Sequence, residues 1–233
     1  MIKAIFFDFD GTLVDSEAHT PAAIRQVMEE LGHPGVELPP EKTQGRPWME
    51  IVHELSLRFG PLDSEGNQVF TKRLHATWIS MVRHAVPLPG AQEAVRDASA
   101  HFRLAVVSSS RTPYLDEHLE RLGMGAYIEP HLRIGADKIS RFKPDPEGYL
   151  LAASLCEARP SECLVFEDSS AGLKAARAAG MHCIAVTGCS AEREAGVRLA
   201  DAACRDFREF SRSSWAALAG QPQPSLKAIL QPA

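Results

Sequence analysis

Asp8 and Asp10 stand two residues apart, where an apolar run from Ile2 to Phe7 gives way to Gly11 and Thr12. Residues alternate sides along an extended chain, so both carboxylates project to one side of a strand end. Two acids so placed can divide labour: one stays ionised as nucleophile or metal ligand, while the other carries a proton. Ser108 follows Leu104–Val107 and precedes Ser109, Ser110 and Arg111. Amides and a hydroxyl at a helix start form a ready anion site. Lys143, in Lys143-Pro144-Asp145-Pro146, is a compact positive charge on a stiff turn beside a helix start. Glu167-Asp168-Ser169 follows Cys163–Phe166 and adds carboxylates. Three or four converging carboxylates would repel one another without a cation, and hard oxygen ligands completed by water and phosphate suit Mg²⁺. Lysine and helix start supply positive potential for an anionic group. The sum fits phosphoryl transfer by positioning and charge neutralisation.

The elements that must carry these groups alternate along the chain. Apolar, β-rich runs recur at Ile2–Phe7, Leu104–Val107, Cys163–Phe166 and Cys183–Val186, with a weaker run, Ile128–Ile134, broken by Pro130. Helical patterns lie between them at Gly90–His101, Thr112–Leu122, Pro146–Leu155 and Ser170–Ala179, and Gly180 is placed to close the last as a left-handed cap. This alternation predicts an α/β fold, a doubly wound (Rossmann-like) parallel sheet whose strand carboxyl ends gather the four acidic, hydroxyl and lysine elements. Residues 16–86 break the rhythm. Apolar positions recur there at helical spacing in Ala22–Leu31, Trp48–Leu57 and Val69–Val82, with Asp15 or Ser16 as first cap and Thr20–Pro21 as an alternative start. Val86-Pro87-Leu88-Pro89-Gly90 suits a hinge back into the core. The expected organisation is an α/β core of 1–15 and 87–219, an all-α cap of 16–86 inserted after the first strand, and a poorly ordered tail, 220–233.

Composition narrows the functional classes. The chain has 233 residues, 45% of them hydrophobic, and a formal net charge of −5. A nucleic-acid surface would show a basic excess, so no nucleic-acid partner is expected. No apolar stretch approaches the ~20 residues needed to span a bilayer, and the amino terminus enters a strand without a secretory pattern. Cys156, Cys163, Cys183, Cys189 and Cys204 fit neither a zinc nor a disulfide framework. A reduced, cytoplasmic protein without membrane partners is expected.

Taken in order, the four motifs resemble those of the haloacid dehalogenase superfamily. Asp8-Phe9-Asp10-Gly11-Thr12-Leu13-Val14-Asp15-Ser16 resembles its first motif and Ser108 its second. Lys143 in Lys-Pro-Asp-Pro resembles the third, and Glu167-Asp168-Ser169-Ser170-Ala171-Gly172 the acidic fourth. The helical insertion resembles the small cap of the β-phosphoglucomutase and phosphoglycolate phosphatase branch. The resemblance implies a Mg²⁺-dependent phosphatase of a small phosphorylated metabolite: a sugar phosphate, a sugar-acid phosphate or phosphoglycolate. Asp8 would form an aspartyl-phosphate and Asp10 would act as acid, then base. Ser108 would bind the phosphoryl group, and Lys143 would neutralise it together with Asp8. Asp8, the Asp10 carbonyl and Asp168 would hold Mg²⁺, with Glu167 a ligand directly or through water. Gly11, Thr12, Ser109, Arg46 and Arg111 are candidates for contacting the substrate, and a monomer is the expected state.

A hexose-phosphate mutase is the alternative implied by the same branch. Two residues argue against it: His19 is one position early for the mutase histidine, and Thr12 stands where mutases tend to lack a threonine. Asp10 disfavours dehalogenation and phosphonate cleavage, because those branches lack the second carboxylate. A non-catalytic binding protein on the same fold is the remaining class, set against an intact motif set.

Overall fold

The computed structural model describes residues 1–233 other than 17, 40–41, 44–47, 66, 191–192, 221–225 and 227–233. Most of the expected tail and Arg46 therefore lie outside the described residues. The chain forms two compact units: residues 1–15 with 86–233, and residues 16–85.

The larger unit is built on six parallel strands, β1 (Ala4–Phe7), β2 (Arg103–Val107), β3 (Arg133–Ile134), β4 (Cys163–Glu167), β5 (His182–Val186) and β6 (Ala202–Cys204), in the order β3-β2-β1-β4-β5-β6. This is the doubly wound α/β class expected from the sequence. Between the strands come α4 (Ala91–Ser99), α5 (Thr112–Arg121), α6 (Glu147–Leu155), α7 (Ser170–Ala178) and α8 (Arg193–Leu199), with α9 (Arg212–Gly220) at the end. β1 reads as an unbroken apolar run because every residue of it is buried, so both sheet faces are covered. Phe7 and Phe166 pair in register on β1 and β4, with rings 5.3 Å apart, and Trp215 of α9 closes over Phe166 at 5.8 Å.

The strand order turns back between β1 and β4. An open α/β sheet leaves a crevice for ligands at the carboxyl ends there. The chain enters and leaves that crevice through Asp8 and through Glu167-Asp168.

Some expectations differ in detail. Ile128–Ile134 contributes only Arg133–Ile134 as strand, because Pro130 opens a 3₁₀ turn over Pro130–Leu132. β6, α8 and α9 are additions to the elements expected from the sequence. Gly180 has φ 77° and donates to Arg177 O, as a left-handed cap should.

The smaller unit is all-helical: α1 (His19–Glu30), α2 (Trp48–Phe59) and α3 (Gln68–Val82), inserted between β1 and β2. Ile24, Val27 and Met28 of α1 and Phe70, Leu74 and Trp78 of α3 are buried at helical spacing. Trp48 packs edge-on against Trp78 at 5.7 Å. Neither Asp15 nor Ser16 caps α1. The cap residue is Ala18, without a side-chain bond, and Ser16 contributes its carbonyl to His19 N–H.

Among the described residues no helix is long and apolar enough to cross a membrane. Cys156, Cys163, Cys183 and Cys204 are buried as free thiols.

Candidate active site

β1 delivers Asp8 one residue past its end, and the Asp8 N–H continues the ladder by donating to Phe166 O at 2.9 Å. The chain then turns sharply. Gly11 sits at φ 83°, a left-handed conformation that favours glycine, and its N–H donates to Val14 O. The turn leaves Thr12 wholly buried, with its hydroxyl donating to Asp168 Oδ1 at 3.3 Å. Thr12 thus ties the first acidic segment to the fourth from beneath.

Lys143 comes from the turn before α6 and aims its ammonium at three oxygens. Nζ lies 2.5 Å from Asp8 Oδ1, 2.6 Å from Glu167 Oε1 and 3.0 Å from Val107 O. The Tyr149 ring lies 5.3 Å from the same nitrogen. Glu167, at the end of β4, has no exposed surface. Its Oε1 also accepts from the Tyr149 hydroxyl, and its Oε2 from the N–H and hydroxyl of Ser169. Ser169 caps α7 by accepting from Gly172 N–H.

Burial dominates the electrostatics here. It pushes the Asp8 carboxyl up to about 7, with Lys143 pulling the other way and Glu167 and Asp10 adding to the rise. Burial alone would depress the Lys143 ammonium. The Asp8 and Glu167 carboxylates more than reverse that and hold it well above the ordinary lysine value. Burial, then the Glu167 charge, keeps the Tyr149 phenol protonated.

Asp10 is held separately. Its Oδ2 accepts from Ser110 Oγ at 2.7 Å and more distantly from Ser108 Oγ at 3.4 Å. Its Oδ1 accepts from the Tyr114 hydroxyl at 3.0 Å. Burial, then the Asp10 charge, raises the Tyr114 phenol above its ordinary range, so it remains a donor. Ser108 is itself fixed at the end of β2, where its N–H donates to Ile134 O and its Oγ accepts from Ser110 N–H.

The structure thus brings Asp8, Lys143, Glu167 and Asp168 together, with Asp10 and Ser108 beside them. Gly11 is buried in its turn. Ser109 and Arg111 are exposed at the start of α5. Ser110, Tyr114, Tyr149 and Ser169 carry contacts that the motif reading did not assign. Tyr114 carried no local signal: Ser110 lies before α5, across the extended Arg111, and the contact of Tyr114 with Asp10 spans 104 positions.

Asp8, Glu167 and Asp168 are all buried, and each offers an oxygen within 4.8 Å of the others. An all-oxygen donor set of this charge fits a hard divalent cation.

A family model for haloacid dehalogenase-like hydrolases matches residues 2–180. The chain is 34% identical over 190 residues to the validoxylamine A 7'-phosphate phosphatase of Streptomyces hygroscopicus subsp. limoneus, covering 80% of this chain and 86% of that protein. It is 32% identical over 182 residues to the phosphorylated carbohydrates phosphatase of Thermotoga maritima, covering 77% and 82%. The crystal structure of a β-phosphoglucomutase from Clostridium difficile aligns with a TM-score of 0.75 at 20% identity, over 94% of this chain and 97% of that one, a likeness of fold. An acidic strand end set against a buried lysine, within a match running over residues 2–180, places the protein: the chain belongs to the haloacid dehalogenase-like hydrolase family.

Proposed function

We propose that this chain is a Mg²⁺-dependent phosphatase of a small phosphorylated metabolite, of the sugar phosphate, sugar-acid phosphate or phosphoglycolate kind. The observation that carries the reading is the 2.5 Å pairing of Asp8 with Lys143, beside a second acid, Asp10, held by hydroxyl donors. Relatives at 34% and 32% identity that are named as phosphatases of validoxylamine A 7'-phosphate and of phosphorylated carbohydrates support hydrolysis over isomerisation.

In this reading the Asp8 carboxylate attacks phosphorus, and the bond from phosphorus to the ester oxygen breaks. Asp10 gives its proton to that oxygen as it leaves. Asp10 then takes a proton from water as the water attacks the phosphorus of the acyl phosphate. Phosphate departs and the Asp8 carboxylate is restored. Ser108 hydrogen-bonds the moving phosphoryl group, and Lys143 offsets its charge in a site with little water to screen it. Asp8, Asp168 and the carbonyl of Asp10 would hold Mg²⁺, whose charge when bound offsets that of the phosphoryl oxygens. Glu167, with both oxygens hydrogen-bonded by Lys143, Tyr149 and Ser169, aims Lys143 and would reach the Mg²⁺ held beside it through water.

Hydrolysis of 4-nitrophenyl phosphate tests the activity. Turnover that needs Mg²⁺ and vanishes in Asp8→Asn is expected; equal background rates in both proteins would refute it. A panel of phosphorylated metabolites ranked by kcat/KM then identifies the substrate class.

A further inference from the structure

The carboxyl group of Asp10 is gripped at both oxygens by one short segment. Ser110 donates to Oδ2 from just before α5, and Tyr114 donates to Oδ1 from within its first turns. The tyrosine is not a mobile arm. Its ring meets the buried Phe9 edge-on at 5.8 Å and packs on the His118 ring at 4.1 Å. His118 Nδ1 is in turn hydrogen-bonded to Tyr114 O at 2.9 Å. Phe9 is the residue between the two acids, so the surface that seats the tyrosine ring belongs to the acidic segment itself.

Rotation about the last torsion of an aspartate is soft and roughly two-fold. A proton donor must nevertheless be aligned with the leaving oxygen when the bond breaks. Something has to hold the carboxyl plane. A hydroxyl carried on a packed aromatic ring does this with little conformational cost, since a tyrosine has few torsions to freeze.

We propose that Tyr114 is a positioning residue for Asp10, its hydroxyl fixing the carboxyl plane from which the proton reaches the leaving oxygen. This rests on the phosphatase reading above and adds to it a residue outside the four motifs. Tyr114→Phe removes the hydroxyl and keeps the ring, so the packing on Phe9 and His118 is preserved.

The test compares two esters of nearly equal size. 4-Nitrophenolate departs without a proton, whereas phenolate needs one. Tyr114→Phe is expected to keep kcat/KM for 4-nitrophenyl phosphate within about twofold and to lose about tenfold for phenyl phosphate, part of what a positioned acid contributes. The ratio of the two constants does not depend on the fraction of active protein, so partial misfolding cannot imitate the effect. A wild-type enzyme that turns over both esters, with a ratio unchanged in Tyr114→Phe, overturns the role of Tyr114 alone. A wild-type protein no more active than Asp8→Asn on either ester overturns the phosphatase reading with it.

Discussion

Lys143 reaches from the turn before α6 to Asp8 past the end of β1, closing a 2.5 Å ion pair between residues 135 positions apart. Their side chains are only 10% and 9% exposed, so the pair is nearly desolvated. A pair of this kind is costly to assemble and costlier to break, because removal of one partner strands the other charge. Glu167 shares the same ammonium at 2.6 Å. One cation therefore compensates two buried carboxylates, and its loss should be felt in fold and chemistry alike.

Lys143→Met is expected to lower the free energy of unfolding by about 3–5 kcal/mol at pH 8 in the presence of a chelator. Urea denaturation reads this directly. A midpoint equal to that of the wild type would mean that Asp8 and Glu167 do not depend on the lysine.

Gly172 is required by close approach rather than by backbone conformation. A Cβ there would fall 1.6 Å from Glu167 Oε1, whereas a Cβ at Gly196 of α8 would meet nothing nearer than 3.4 Å. Gly172→Ala should cost about 1–3 kcal/mol by overpacking and should impair turnover through the displaced Glu167. Gly196→Ala should be neutral or stabilising by up to about 1 kcal/mol, since alanine is the better helix former. Melting temperatures of the two variants test the contrast, and equal losses would contradict it.

Glu162 predicts an acid-sensitive step in stability. Its carboxylate accepts from the Arg159 side chain at 2.8 Å and backbone at 3.0 Å, and Lys3 lies 3.0 Å away. These contacts, the Arg159 side chain foremost, hold it well below the ordinary glutamate value of 4.5. A carboxyl depressed in the native state stabilises the fold above its unfolded pKa and loses that contribution as pH falls toward the native value. Stability measured from pH 5 downward should therefore fall less steeply in Glu162→Gln than in the wild type. Identical slopes would show that Glu162 does not titrate differently on folding.

Metal removal should abolish turnover reversibly. Asp168, buried and held by Thr12, is the ligand whose loss should matter most after Asp8. Asp168→Ala should move the Mg²⁺ activation curve to concentrations about 10–100-fold higher or more, the scale seen even for outer-shell partners. An unchanged curve would remove Asp168 from the ligand set.

The legibility of the chain followed its hydrophobic runs. β1, β2, β4 and β5 are buried on both faces, so each appears as a short apolar string ending in a polar residue, and those endings are Asp8, Ser108, Glu167 and Thr187. The edge strand β6, Ala202–Cys204, has only small side chains and no such string, and α9 sits among serines and alanines. Their packing partners, Phe166 for Trp215 among them, are distant in sequence. The acids and the lysine were legible because their chemistry is unusual at strand ends. Tyr114 and Tyr149 were not, because their roles rest on side-chain contacts with Asp10, 104 positions away, and with Glu167, 18 positions away.

The most direct measurement is acid quenching of the enzyme during turnover of 4-nitrophenyl phosphate, followed by peptide mass spectrometry. The phosphoryl group is expected on the peptide carrying Asp8, absent in Asp8→Asn and absent when Mg²⁺ is chelated. A phosphoryl group on another residue, or steady turnover with none on the protein and inversion at phosphorus, would contradict Asp8 as the nucleophile.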